Sequence, residues 1–178
     1  MITGLHVERV AALDDVTIDG LAALLADVVD GGNSVGFHAP LQRATALAYW
    51  REVAASLGAD HMLWLAHDGR RRIVGSVQLQ RAKRENGRHR GEVCKLIVRR
   101  EARRAGVAAR LMAALEAQAL QCSLSLLVLD TEARSPAEAF YRQQGWQRVG
   151  EIPGFASNTS GALRGTALYF KTLGSDPA

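Results

Sequence analysis

The stretch Leu96-Ile97-Val98-Arg99-Arg100-Glu101-Ala102-Arg103-Arg104-Ala105-Gly106-Val107-Ala108 changes character twice. It opens as the apolar end of a strand and passes through a turn with four arginines. From Ala105 to Leu120 it continues as an Ala-, Leu- and Met-rich segment whose Val107, Leu111, Leu115 and Leu120 lie at helical spacing. A strand that runs through such a turn into a helix leaves the first helical N–H groups without intrahelical acceptors, all facing one spot. The positive end of the helix dipole adds attraction, and Gly106 and Ala108 are small enough to let a ligand reach the backbone. The expectation is an anion site suited to a pyrophosphate. Taken alone, the same pattern also describes an ordinary strand-to-helix connection. It lacks the Lys-Ser/Thr ending of a P-loop and the three-glycine dinucleotide fingerprint, which weighs against both nucleotide folds.

Around this stretch the charge is uneven. Arg70 to Arg110 holds fourteen basic residues against Glu85, Glu92 and Glu101, a net +11, so the rest of the chain carries −7 within an overall +4. Such asymmetry fits a middle region that meets an anion, a phosphorylated cofactor or a nucleic acid, or else a solvated loop rim. No aromatic residue lies between Arg70 and Arg110, which argues against a base-stacking nucleic-acid module.

On either side the hydrophobic pattern fixes the other elements. Upstream, Gly4 to Val10 alternates weakly as a first strand, and Leu21, Leu24, Leu25, Val28 and Val29 mark a helix from Thr17 that Gly31-Gly32 stops. A second helix is expected from Pro40 to Leu57. Met62 to His67, Ile73 to Gln80 and Gly91 to Val98 are short runs separated by Asp68-Gly69 and Asn86-Gly87, which predicts three antiparallel strands. Downstream come a buried strand from Leu124 to Leu129, a short helix from Pro136 through Tyr141, and strands Trp146 to Ile152 and Thr166 to Lys171. The predicted order is β-α-α-β-β-β-α-β-α-β-β. Trp50, Trp64 and Trp146 sit in periodic segments and are expected in the core.

With 178 residues and 48% hydrophobic content, one domain is expected. No run is long and apolar enough for a membrane helix, and no secretory signal pattern opens the chain. Cys94 and Cys122 are too few and too far apart for a disulfide framework or a Cys-rich zinc site, and the five histidines lack ligand spacing. A cytoplasmic protein without a metal, nucleic acid or membrane partner is the expectation. A homodimer is compatible with the sequence and not demanded by it.

Arg103, Gly106 and Ala108 match Arg/Gln-x-x-Gly-x-Gly/Ala, the acetyl-CoA motif of the GCN5-related N-acetyltransferase (GNAT) family, and Leu96 to Val98 precede it as in that family. Phe140-Tyr141 and Gly145-Trp146 resemble the family's Phe/Leu-Tyr-x-x-x-Gly-Phe segment, and the element order agrees along nearly the whole chain. Three further blocks are similar to the tabtoxin-resistance branch. These are Gly31 to Phe37, Leu129 to Ala133, and Gly150 to Phe155 with the ending Tyr169 to Gly174. The chain departs from the family pattern at Arg100, Arg104, Ala108 and Arg134, where many members carry Pro, Gly, Gly and Asn.

The resemblance implies an α/β (α+β) fold with a mixed, mostly antiparallel sheet of about seven strands flanked by about four helices, one domain over residues 1–178. It implies an acyltransferase that uses acetyl-CoA and acts on the amine of a small molecule, with a tabtoxin-like β-lactam amino acid as the candidate acceptor. A protein, peptide or polyamine acceptor and a non-catalytic CoA-binding domain are the alternatives. The cofactor residues would be Leu96, Ile97, Val98, Arg103, Arg104, Ala105, Gly106, Val107, Ala108 and Ala109.

Acetyl transfer from a thioester to an amine needs a neutral amine, a held carbonyl and a proton for the departing thiolate. By resemblance Tyr141 is the general acid, its ordinary phenol pKa of roughly 10 suited to a thiolate. Glu92, eleven residues before Arg103, has the spacing of the general base in histone-modifying members. Asp130, expected to close the fifth strand, would bind the substrate ammonium, relay its proton or cap the following turn. Asn33, Ser34 and Phe37 from the first loop, and Phe155, Asn158 and Ser160 from the last, are the candidate substrate contacts.

Overall fold

The computed structural model describes residues 4–174. Asp14 accepts a hydrogen bond from the Thr17 amide at 2.8 Å and so starts α1 (Asp15–Asp30) two residues ahead of Thr17. The second helix, α2 (Arg43–Ser56), begins after Pro40 and not at it. The reason is local: the Leu41 amide donates to the Asp30 carboxylate at 2.9 Å and the Leu41 side chain is already buried, so Pro40 stays in a bend.

Seven strands form one sheet in the order β1-β2-β3-β4-β5-β7-β6. They are β1 (His6–Val10), β2 (His61–His67), β3 (Ile73–Arg81), β4 (Arg90–Val98), β5 (Leu126–Glu132), β6 (Gln147–Ser157) and β7 (Leu163–Thr172). All neighbours are antiparallel except β4 and β5. With α3 (Val107–Gln121) and α4 (Pro136–Gln143) the predicted order and the mixed seven-stranded α+β architecture are met.

Strand alternation sorts the sheet into two faces. On one, Leu111, Met112 and Leu115 of α3 pack on Met62, Trp64, Leu79, Val93, Leu127 and Leu129, joined at the far end by Tyr141, Trp146 and Tyr169. A Cβ at Gly75 would meet the Leu111 and Val107 methyl groups at 3.0 Å, so glycine lets α3 lie close. On the other face, α1 and α2 bury Leu21, Leu25 and Trp50 against Leu63, Leu65, Ile73 and Ile97. All three tryptophans are in the core, as expected.

Val93 and Ile97 are four residues apart and face opposite sides, which a regular strand forbids. The register explains it. Ser76 opposes Ile97 while Gln78 opposes Cys94, an extra residue on β4 centred on Lys95, whose φ is 52°. This bulge bends β4. β5 meanwhile follows β7 from Leu126 to Glu132. The two central strands therefore pair only at Arg90–Leu126, Gly91–Leu127 and Glu92–Val128, and beyond these they run apart.

Candidate active site

At the mouth of this split α3 begins. Its N-cap, Gly106, has φ 78°, a left-handed conformation that suits glycine. No side chain caps the helix, so the amides of Val107, Ala108 and Ala109 lack intrahelical acceptors. A Cβ on Gly106 would meet no atom within 4 Å. An open space in front of free amides is the local requirement for a pyrophosphate.

The arginines divide their duties. Arg100 binds the Asp27 carboxylate through its amide (2.8 Å) and Nε (2.9 Å), Arg72 pairs with Asp68 and Glu101, and Arg110 donates to the Leu5 carbonyl at 2.9 Å. Arg103 donates to Asn33 Oδ1 at 2.9 Å and to the Val98 carbonyl at 3.4 Å. Within the turn, Arg100 is thus tied to α1 and Arg103 to β4. The Arg104 side chain is exposed and forms no ion pair with a described residue. Ile97 is buried beneath α1, so only its backbone faces the split.

Glu92 is exposed at the last β4–β5 pair, in one row with Gln80 and Val128. A pocket of about 250 Å³ opens there, lined also by Arg81, Arg90 and Gly91. A second hollow of about 430 Å³ shares Gln80 and Arg81 and runs under α2 to Tyr49, Glu52, Asp60 and His61. Asp130 lies two residues beyond Val128 on the same face and is exposed. The expectation that it closes β5 is corrected, because the strand continues to Glu132 and Asp130 pairs with Leu168. Between these carboxylates sits Cys94. Burial pushes its thiol up to about 11; Lys95 acts against this, and Glu92 and Asp130 add to it.

Tyr141 is on the opposite face, on α4, in an aromatic cluster with Phe140 at 5.5 Å and Trp146 and Tyr169 each at 6.0 Å. Burial pushes its phenol well above the ordinary value of 10, and the Asp130 carboxylate adds to the rise. The match to a thiolate at the ordinary value is therefore corrected: this phenol stays protonated throughout the neutral range.

Sequence reasoning missed the clamp behind Tyr141. Glu138, buried on α4, accepts from the Tyr169 hydroxyl, from Arg148 Nε at 3.1 Å and from the Arg134 amide at 2.6 Å. Burial alone would raise the Glu138 carboxyl, but these bonds and Arg148 hold it below the ordinary value. Arg134 turns its guanidinium to Glu151 at 3.6 Å.

The two loops picked from sequence do meet. The Ser34 hydroxyl donates to the Ser157 carbonyl at 3.4 Å, His38 Nε2 and Ser157 Oγ are 2.7 Å apart, and the Ala39 amide donates to the Thr159 carbonyl at 2.9 Å. Phe37 packs edge-on to Tyr49 with centroids 5.4 Å apart. Three details change. Asn33 Oδ1 is occupied by Arg103, which places this residue with the basic turn. Phe155 is exposed but belongs to β6, which extends to Ser157. Asn158 Oδ1 accepts from the Ser160 amide and hydroxyl and the Ala162 amide, so it builds the turn.

Also missed is a polar chain under α2. Gln78 Nε2 donates to the Tyr49 hydroxyl at 3.0 Å, while His61 bridges Gln78 Oε1 at 2.9 Å and the Ser56 hydroxyl at 2.7 Å. Its signal was present: Ser76 and Gln78 interrupt the apolar run from Ile73 to Leu79, and both are buried.

The sequence matches the family model described as acetyltransferase (GNAT) domain over residues 33–156. Among solved structures it is similar to one described as a candidate phosphinothricin N-acetyltransferase, with TM-score 0.78, 13% identity, and 97% of this chain and 100% of that one covered. A ribosomal-protein-alanine N-acetyltransferase from Brucella melitensis has TM-score 0.73 and 19% identity, with coverage of 94% and 99%. The Salmonella typhimurium protein yncA, solved with its cofactor acetyl-CoA, has TM-score 0.76 and 12% identity, with coverage of 99% and 98%. Among the described residues no helix is long and apolar enough to cross a membrane. With the split sheet, the uncapped α3 and a family match over more than half its length, the chain belongs to the GNAT acetyltransferases and is an acyltransferase with acetyl-CoA as cosubstrate.

Proposed function

We propose that this protein transfers the acetyl group directly to the neutral amine of a small molecule held between the α1–α2 loop, the β6–β7 loop and the β4–β5 split. One observation carries the reading: β4 and β5 pair at only three positions, with Glu92 exposed at the last of them, and Asp130, two residues further along β5, raises the buried Tyr141 phenol. Bound acetyl-CoA supplies an activated thioester carbonyl. The amides of Val107, Ala108 and Ala109, with Arg104, hold its pyrophosphate. Leu96 and Val98, with the Ile97 backbone, line β4 where it has no β5 partner.

Glu92 draws the proton from the acceptor ammonium, directly or through a water, and Asp130 holds the ammonium beside it. As the amine nitrogen bonds to the acetyl carbon and the carbon–sulfur bond breaks, Tyr141 gives its phenolic proton to the departing sulfur, and the proton shed by the acylated nitrogen restores the phenol. Cys94 stays a thiol at neutral pH because burial raises it, which supports direct transfer over a route through a cysteine. The three sequence blocks similar to the tabtoxin-resistance branch favour a small toxin as the acceptor, of the β-lactam amino acid type.

A screen of amines with release of the CoA thiol as the signal tests the reading, with the dipeptide toxin and its free amino acid in the panel. In that assay Glu92→Gln should depress the rate most at low pH, where the amine is protonated and needs help. A pH–rate profile unchanged in shape and height would assign the proton transfer to Asp130 or water.

A further inference from the structure

Lys95 is the residue at the β4 bulge, and the bulge changes which way it points. In a regular strand Lys95 would face α3, opposite to Cys94. The extra residue and the left-handed backbone at φ 52° turn it to the other face. There its Nζ lies 5.5 Å from the centroid of the Tyr49 ring, and 3.8 Å from where a Cβ on Gly36 would stand. Tyr49 is itself packed edge-on by Phe37.

This ammonium is half-buried and forms no ion pair with any described residue. A cation drawn from water without a counter-charge is costly. The aromatic ring offsets part of that cost. Two carboxylates, Glu92 and Asp130, line the same face, yet neither neutralises it at close range. The face therefore offers negative charge where an ammonium must lose its proton, and a separate positive charge under the rim of the α1–α2 loop.

We propose that Lys95 is a specificity residue for the acceptor, binding a carboxylate carried by the amine, so that the substrates are amino acids and not plain amines or polyamines. The inference rests on the acetyl-transfer reading above. The ammonium end goes to Glu92 and Asp130, and the carboxylate end goes to the Lys95–Tyr49 corner. A polyamine would leave Lys95 facing a second cation, which selects against it.

The test measures kcat/KM by thiol release for wild type, Lys95→Gln, Lys95→Arg and Lys95→Glu. The acceptors are amino acids with free carboxylates, their carboxamides, the matching decarboxylated amines and a diamine. Wild type should prefer the carboxylate form by about tenfold or more. Lys95→Gln should lose most of that preference through a higher KM, Lys95→Arg should restore part of it, and Lys95→Glu should turn it towards the diamine. A preference that survives in Lys95→Gln, or wild type that uses amides and plain amines equally well, overturns the proposal and leaves acetyl transfer standing. Loss of the acetyl-CoA-induced rise in Tm in Lys95→Gln overturns it too, by assigning Lys95 to the donor. No thiol release with any amine overturns the acetyl-transfer reading itself.

Discussion

The two faces of the central sheet are built from the same strands and end in opposite chemical environments. Under α3 and beside α4 the face is mostly apolar: leucines, Met112 and an aromatic cluster share one core with Tyr141, whose hydroxyl makes no hydrogen bond with a described residue, and the Glu138 clamp lies behind it. Next to α2 the face is polar, with Glu92 and Asp130 exposed and Gln78, His61 and Ser56 linked in a chain. The contrast separates an acid from a base without needing unusual residues. Burial holds the Tyr141 phenol protonated on one face, while Glu92 and Asp130 lie exposed on the other.

The strongest challenge to this contrast is Tyr141→Phe. The ring keeps its packing, so affinity for acetyl-CoA should stay close to that of wild type, while kcat and kcat/KM fall together by roughly 10²–10⁴. A wild-type single-turnover rate would show that water protonates the thiolate and that the dry face serves packing alone.

Leu111→Ala tests the dry face as structure. Leu111 on α3 is fully buried against Gly75 of β3, so its truncation should cost about 2–5 kcal/mol in denaturant unfolding. A loss below 1 kcal/mol would mean that α3 can settle into the gap.

Gly106→Val sharpens the picture at the mouth of the split. No protein atom lies within 4 Å of the new Cβ, so the main cost to the fold should be the left-handed backbone preference, about 1–2 kcal/mol. Binding of acetyl-CoA, read by calorimetry, should weaken by roughly five- to thirtyfold as the pyrophosphate is pushed from the helix end. Unchanged affinity would place the anion elsewhere.

The smallest effect is expected at Glu138, behind the acid. Its carboxyl is held below its ordinary 4.5, so its charge stabilises the fold above about that pH and the contribution fades as pH falls. Glu138→Gln should be less stable than wild type by about 1 kcal/mol at neutral pH, with the gap closing in acid. A pH-independent gap would mean that the carboxylate charge contributes nothing.

The architecture was legible because periodicity is a short-range signal. Leu21, Leu24, Leu25 and Val28 identify a helix from their own spacing, and the basic turn before Gly106 announces an uncapped helix start. Features that depend on pairing were less visible. Asn158 reads as a loop residue free for substrate until its oxygen is seen closing its own turn, and Asn33 until Arg103 is found 70 positions away. The Glu138 clamp joins α4 to β6 and β7, and no local pattern marks it. The bulge at Lys95 was not legible either: Val93 and Ile97 are in phase by count, and only their packing on opposite faces shows the extra residue.

The narrow joint of the sheet bears on how this sequence can drift. Gly91 sits at the middle of the three β4–β5 pairs, and a Cβ there would strike Leu79 at 2.7 Å, Leu124 at 3.1 Å and Leu127 at 3.3 Å. The protein's own interior forbids a side chain at that position. At Gly106 the surrounding protein forbids nothing, and beyond a modest backbone strain the restriction comes from the guest. A descendant that gave up the chemistry could accumulate substitutions at Gly106 while still being held to glycine at 91, so the two positions would record separately the loss of activity and the survival of the fold.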